Sequence, residues 1–114
     1  MVKKFQVRIM AGLSLALVLF IANSLALGQT EAPDSAALYK KKCSMCHGQD
    51  GKGFSAMKTP DFTSADWQSA RSDEEITDVV KSGKKGTPMP AFGTKLSEDE
   101  IKAVVAHVRT FGKK

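Results

Sequence analysis

Residues 43–47 read Cys43-Ser44-Met45-Cys46-His47, two thiols and an imidazole at fixed spacing. Positions three and four apart on a helix share a face, so Cys43, Cys46 and His47 project together over about one turn. This C-x-x-C-H order is the pattern of covalent haem attachment. The two sulfurs would join the porphyrin vinyl groups as thioethers, and the imidazole would reach the iron from the proximal side. Other uses of these residues account for less of the pattern. A redox dithiol belongs between a strand and a helix, and no strand periodicity is visible in the chain. Structural zinc needs four ligands, and the only other histidine, His107, stands at no finger spacing from the pair. A plain disulfide leaves His47 without a task.

Working outward toward the N-terminus, Lys3, Lys4 and Arg8 precede an apolar run from Ile9 to Ala22, and small residues follow it through Ala26 and Gly28. This is the outline of a secretory signal peptide over residues 1–28, with the cut expected before Gln29 and a cut after Ala26 as the second choice. The alternative is an uncleaved anchor, because Ile9 to Leu27 approaches the ~20 residues of a membrane span. No cysteine lies close behind the run, which argues against a lipid anchor. Export agrees with the motif, since covalent haem attachment in bacteria is completed outside the cytoplasmic membrane. The cysteines are then consumed by haem rather than by a disulfide.

The 114-residue chain carries a formal charge of +5, but removing the leader leaves 14 basic against 12 acidic residues. Haem propionates would lower the total further. Nucleic acid is therefore excluded as the expected partner. The lysines cluster at Lys40-Lys41-Lys42, Lys84-Lys85 and Lys113-Lys114, a distribution suited either to brief docking with other proteins or simply to solvation. The domain expected over residues 29–114 is small enough to need a staple, and haem would supply both the staple and apolar surface.

Within that domain Asp34 caps a first helix, Ser35 onward, that runs into the motif and stops near His47 because Gly48 follows. Its residues Leu38, Tyr39 and Cys43 share a face, with Lys40 and Lys41 turned to water. His47 to Gly53 is a glycine-rich loop able to bring backbone close to the porphyrin edge and to supply a carbonyl for the second ring N–H of His47. Pro60 is a candidate for that carbonyl. Phe62 and Trp67 are expected to close the core around the haem, with the Trp67 indole N–H a candidate donor to a propionate. Ser72-Asp73-Glu74-Glu75 and Ser97-Glu98-Asp99-Glu100 are capping boxes, so each opens a helix. The first carries Ile76, Val79 and Val80 inward and ends at Ser82-Gly83. The second carries Ile101, Val104, Val105 and Val108 inward to Phe111-Gly112, with Leu96 stapled against Ile101 and with Lys102 and Arg109 off the stripe.

Between those helices lies Thr87-Pro88-Met89-Pro90-Ala91-Phe92. Two prolines fix the backbone on either side of one thioether, which is what a sixth iron ligand requires. The soft sulfur of Met89 suits iron, and a His/Met pair raises the reduction potential. Met57 is the rival, but its loop lacks bracing, and Met45 points away from the distal side. The plain alternative for Met89 is a flexible gap-filler.

From about Ser35 to Phe111 the chain resembles the small monohaem class I c-type cytochromes of bacteria. The resemblance is carried by Ala37-Leu38-Tyr39 ahead of the motif, by Met89-Pro90-Ala91-Phe92, and by Leu96-Ser97-Glu98-Asp99-Glu100-Ile101 leading into Val104-Val105-Ala106 and Val108-Arg109. It implies an all-α fold of three to four main helices around one haem c, in which the first and last helices cross and one haem edge is exposed. Cys43 and Cys46 would hold the haem, His47 would be proximal and Met89 distal. Two positions depart from the family: Ser35 replaces a glycine at the crossing, and His107 replaces an aromatic residue, where it is expected to pack rather than to ligate.

The function implied is that of an exported, periplasmic one-electron carrier, monomeric and not an enzyme. It would cycle between redox protein donors and acceptors such as membrane respiratory complexes or periplasmic oxidoreductases. Two alternatives stand beside it: a haem c enzyme or ligand-binding sensor with a labile sixth ligand, and a membrane-tethered electron-transfer subunit of a respiratory complex.

Overall fold

The computed structural model describes residues 32–114; the leader predicted over residues 1–28 lies outside the described residues. The Asp34 carboxylate accepts from Ala37 N–H at 3.1 Å and starts α1, Ser35–Lys42. The helix does not run unbroken into the motif. Cys43, with φ −119° and ψ −34°, closes α1 by donating to the Tyr39 carbonyl and then opens the short α2, Ser44–His47. The His47 N–H returns to the Cys43 carbonyl at 3.0 Å, so the five motif residues still form one turn. Gly48 ends α2 at φ +77°, where only glycine sits without strain.

The following loop carries a 3₁₀ turn at Ser55–Met57. A helix absent from the sequence reading, α3 over Ala65–Ala70, comes next and is capped by the Ser64 hydroxyl accepting from Trp67 N–H. Six residues with one capping serine are too short to register as a periodic pattern. Both predicted capping boxes are formed in full. Ser72 opens α4, Asp73–Ser82, and Ser97 opens α5, Glu98–Phe111, each with its third-position glutamate bonded back to the cap N–H at 2.8 Å. With α1 and α2 taken as one interrupted helix there are four, and the described residues contain no strand.

Helix α5 is the spine: α1 packs on one part of it and α4 on another. Ile76, Val80, Phe92, Leu96, Ile101 and Val105 form one apolar cluster, with Leu38 and Met89 against it. Tyr39, Phe62, Val108 and Phe111 form the second, with Cys43 against it. Trp67 touches both and joins them. Leu38 and Tyr39, expected on one face, thus serve different clusters. Val79, expected inward, is 37% exposed. A Cβ on Gly83, one turn further on, would meet the Met89 carbonyl at 2.7 Å, so the end of α4 lies close to the Met89 loop.

Arg109 stays off the apolar stripe, as expected, but it is not idle. Its guanidinium donates to Asp73 Oδ1 at 2.7 Å and to the Gln68 carbonyl and side-chain oxygen at 2.8 and 3.0 Å, tying α5 to both α3 and α4.

Candidate haem site

Local backbone bonds bring the sequence-predicted residues together in two groups. In the first, Gly53 N–H donates to the His47 carbonyl at 2.9 Å, and Phe62 N–H donates to Gly51 at 2.8 Å, folding the glycine loop back beside the motif. Gly51 and Gly53 have φ of +73° and +68°. A Cβ on Gly53 would meet the Pro60 carbonyl at 2.7 Å. The Tyr39 hydroxyl, buried at 2% exposure, donates to the Gly48 carbonyl at 2.9 Å and pins the residue after His47 to α1. The imidazole of His47 stacks on Phe62 with centroids 4.8 Å apart and planes 21° apart.

The second group is the Met89 loop. Phe92 N–H and Gly93 N–H donate to the Val80 and Lys81 carbonyls at 2.9 and 3.0 Å, anchoring the loop to the end of α4. Lys84 N–H donates to the Met89 carbonyl at 3.3 Å, and Met89 N–H donates to the Thr87 hydroxyl at 3.3 Å. Pro88 and Pro90 are exposed while Met89 between them is half-buried against the first cluster. The rival sulfurs are less committed: Met57 is 44% exposed and Met45 86%.

The chemistry of the donor set fits haem. His47 Nδ1 is buried with no hydrogen-bond partner. The Pro60 carbonyl, the candidate acceptor, therefore does not accept from His47 in this structure, although the Gly53 contact brings it to the same loop. Burial lowers the His47 pKa, which keeps the ring neutral and its lone pair available to a metal. Burial and then Cys46 push the Cys43 thiol up to about 11, opposite to the depressed value of a redox-active dithiol. Among the described residues no three His, Cys, Asp or Glu side chains converge as a zinc site would require. Phe54 and Val79 are left 44% and 37% exposed, apolar surface of the kind a porphyrin would cover.

Sequence reading missed Gln68, and it placed Gly83 and Gly51 only as a helix stop and a loop residue. Gln68 donates from Nε2 to both the Phe62 and Val108 carbonyls, at 2.7 and 3.0 Å, linking the Phe62 that backs His47 to α5. Gly83 lets the Met89 backbone approach α4, and Gly51 lies against the Phe111 ring. A lone polar residue carries no spacing signal, and which neighbour a glycine meets is set only by tertiary contact. His107 packs as expected, with its ring 4.9 Å from Tyr39 and edge-on to Phe111 at 5.2 Å. Among the described hydrogen bonds Trp67 donates only through its backbone, to Ser64.

An all-helical fold with a C-x-x-C-H turn, a backed imidazole and a braced methionine defines a c-type cytochrome. Comparison with known proteins agrees. The solved structure of the KustC0563 c-type cytochrome superposes with a TM-score of 0.65 at 35% identity, covering 69% of this chain and 98% of that one. The family model for cytochrome c oxidase, cbb3-type, subunit III matches residues 30–108, and the chain belongs to that family. Among its relatives, the cbb3-type cytochrome c oxidase subunit FixP of Azorhizobium caulinodans is 33% identical over 81 residues, 71% of this chain and 27% of the relative. The subunit CcoP of Cereibacter sphaeroides is 29% identical over 79 residues, 69% of this chain and 27% of the relative. The chain therefore spans about a quarter of the length of these curated relatives.

Proposed function

We propose that this chain is an exported one-electron carrier, with haem c bound through Cys43 and Cys46 and ligated by His47 and Met89. The observation that carries the reading is the pairing of a neutral, backed imidazole on the C-x-x-C-H turn with a half-buried thioether held between two prolines. Bound there, the haem supplies an iron that alternates between ferric and ferrous. The protein's part is to keep both axial ligands fixed: Phe62 and the Tyr39–Gly48 bond hold the His47 turn, and the α4 carbonyls hold the Met89 loop. Rigid ligation at both positions keeps reorganisation small, which suits electron transfer and disfavours substrate binding at iron, so no catalytic residue is assigned. Residues 1–28 act as a signal peptide, residues 29–114 form the cytochrome domain, and the working protein is periplasmic.

The optical spectrum of the purified holoprotein tests this, in both oxidation states, with and without carbon monoxide. The wild type stays low-spin and ignores carbon monoxide, while Met89→Ala binds it. Ready binding by the wild type would replace the carrier with a ligand-binding or enzymatic haem protein.

The match to an oxidase subunit favours a second reading for the partners. In it the chain passes electrons within or alongside a membrane respiratory complex, tethered if the leader is retained. No helix among the described residues is long and apolar enough to cross a membrane. Recovery of the haem protein in washed membranes, with an intact N-terminus by mass spectrometry, would establish the tethered form; release in the soluble periplasmic fraction would establish the carrier.

A further inference from the structure

The haem reading leaves one of the two histidines without a chemical role. His107, on α5, is half-buried and lies with its ring 4.9 Å from that of Tyr39, planes tilted by 40°. Tyr39 is itself almost wholly enclosed, and its hydroxyl donates to the carbonyl of Gly48, the residue bonded to His47. A protonatable ring that water can reach thus stands at one end of a short buried path whose other end is the proximal turn. Such a path is poorly screened, because the groups along it are out of solvent. The charged and titratable groups facing His107 are Asp34 at the start of α1 and Lys114 beyond α5, with Tyr39 between it and the motif. Asp50 faces Tyr39 in turn, and Cys43, consumed by the haem, carries no titratable thiol there.

We propose that His107 is a positioning residue for the redox reaction: it takes up a proton as the haem gains an electron and returns it as the electron leaves. The inference rests on the haem reading above. The electron comes from the redox partner, or from an electrode in the test, and the proton comes from water onto a ring nitrogen. No other bond forms or breaks. Gain of an electron removes one positive charge near His47, which strengthens proton binding at His107. By reciprocity, protonated His107 raises the reduction potential. Burial and Lys114 disfavour the imidazolium in the resting protein and Asp34 favours it, which leaves the ring titrating below its ordinary range.

The experiment uses the holoprotein and its His107→Phe variant, which keeps an aromatic ring on Tyr39 and removes the proton site. Midpoint potentials are measured spectroelectrochemically from about pH 5 to about pH 8, and the His107 titration is followed by NMR in the ferric and ferrous states. The wild-type potential should fall with rising pH through a step that His107→Phe lacks. His107 should bind its proton on the order of threefold more tightly in the ferrous state, a step of about 28 mV at about 59 mV per tenfold. The same step in His107→Phe, or one titration curve in both oxidation states, overturns the coupling. Should the variant fail to retain haem, the NMR comparison within the wild type decides alone. A His/Met spectrum without the linked step removes this inference and leaves the carrier standing, whereas loss of that spectrum from the wild type removes the reading beneath it.

Discussion

Gly51 shows how closely the backbone must approach for the proximal turn to be held. Its φ is +73°, and a Cβ there would lie 2.7 Å from the Phe111 ring of α5. Gly51→Ala is therefore doubly penalised, by left-handed backbone and by overlap with a packed aromatic ring, at a cost on the order of 2–4 kcal/mol. Thermal denaturation of the holoprotein measures this; a loss below about 0.5 kcal/mol would mean that the loop separates from α5 without cost. His107 makes a second residue-scale prediction, in pH. Burial and Lys114 hold its imidazole below the ordinary 6.5, so on acidification the unfolded chain takes the proton first. The stability in question is complete above pH 6.5 and is lost as pH falls through the folded value. Denaturant midpoints below pH 6.5 should decline more steeply in wild type than in His107→Phe. Parallel curves would assign the acid limb to other groups.

At the scale of elements, α4 and α5 are built alike, each opened by a serine whose hydroxyl accepts from the third helical N–H and a glutamate that bonds back. Removing either hydroxyl leaves a donor at the helix start to water alone. Ser72→Ala and Ser97→Ala should each cost about 1 kcal/mol, and the double variant about the sum, because the caps share no partner. Urea unfolding of the three variants checks this, and a double loss well short of the sum would reveal coupling between the helix starts. Both helices then carry a cross-tie, Lys81 to Glu98 at 2.8 Å and Arg109 to Asp73 at 2.7 Å. The Lys81 pair is solvent-exposed enough to contribute little. Arg109 is the more consequential because it also bonds the Gln68 carbonyl, which only a fixed α3 can present.

For the molecule as a whole, two modest apolar clusters joined by Trp67 form most of the core among the described residues. Domains of this size bury a smaller fraction of their surface than larger ones and stand nearer the limit of independent stability. Phe54, Met57 and Val79 are left exposed unless something apolar covers them. The Cys43→Ala/Cys46→Ala variant, which removes both attachment points, should lose most of its far-ultraviolet helical signal when prepared without haem. A cooperative thermal transition in that apoprotein would show that the clusters suffice on their own.

Much of this was written in local sequence. The C-x-x-C-H turn, the Asp34 cap, both capping boxes, the Gly83 stop and the proline-braced Met89 are signals confined to a few neighbouring residues, where backbone geometry and spacing act directly. The burial of Ile76, Val80, Ile101, Val104, Val105 and Val108 followed from helical periodicity. Tertiary structure decided what depends on distant partners. Gln68 and Arg109 act on carbonyls some 40 residues away, which no local pattern announces. The placing of His107 on Tyr39 likewise needed α1 and α5 to meet. Local patterns specify which elements form, while which side of an element finds a partner is set only when the chain closes on itself.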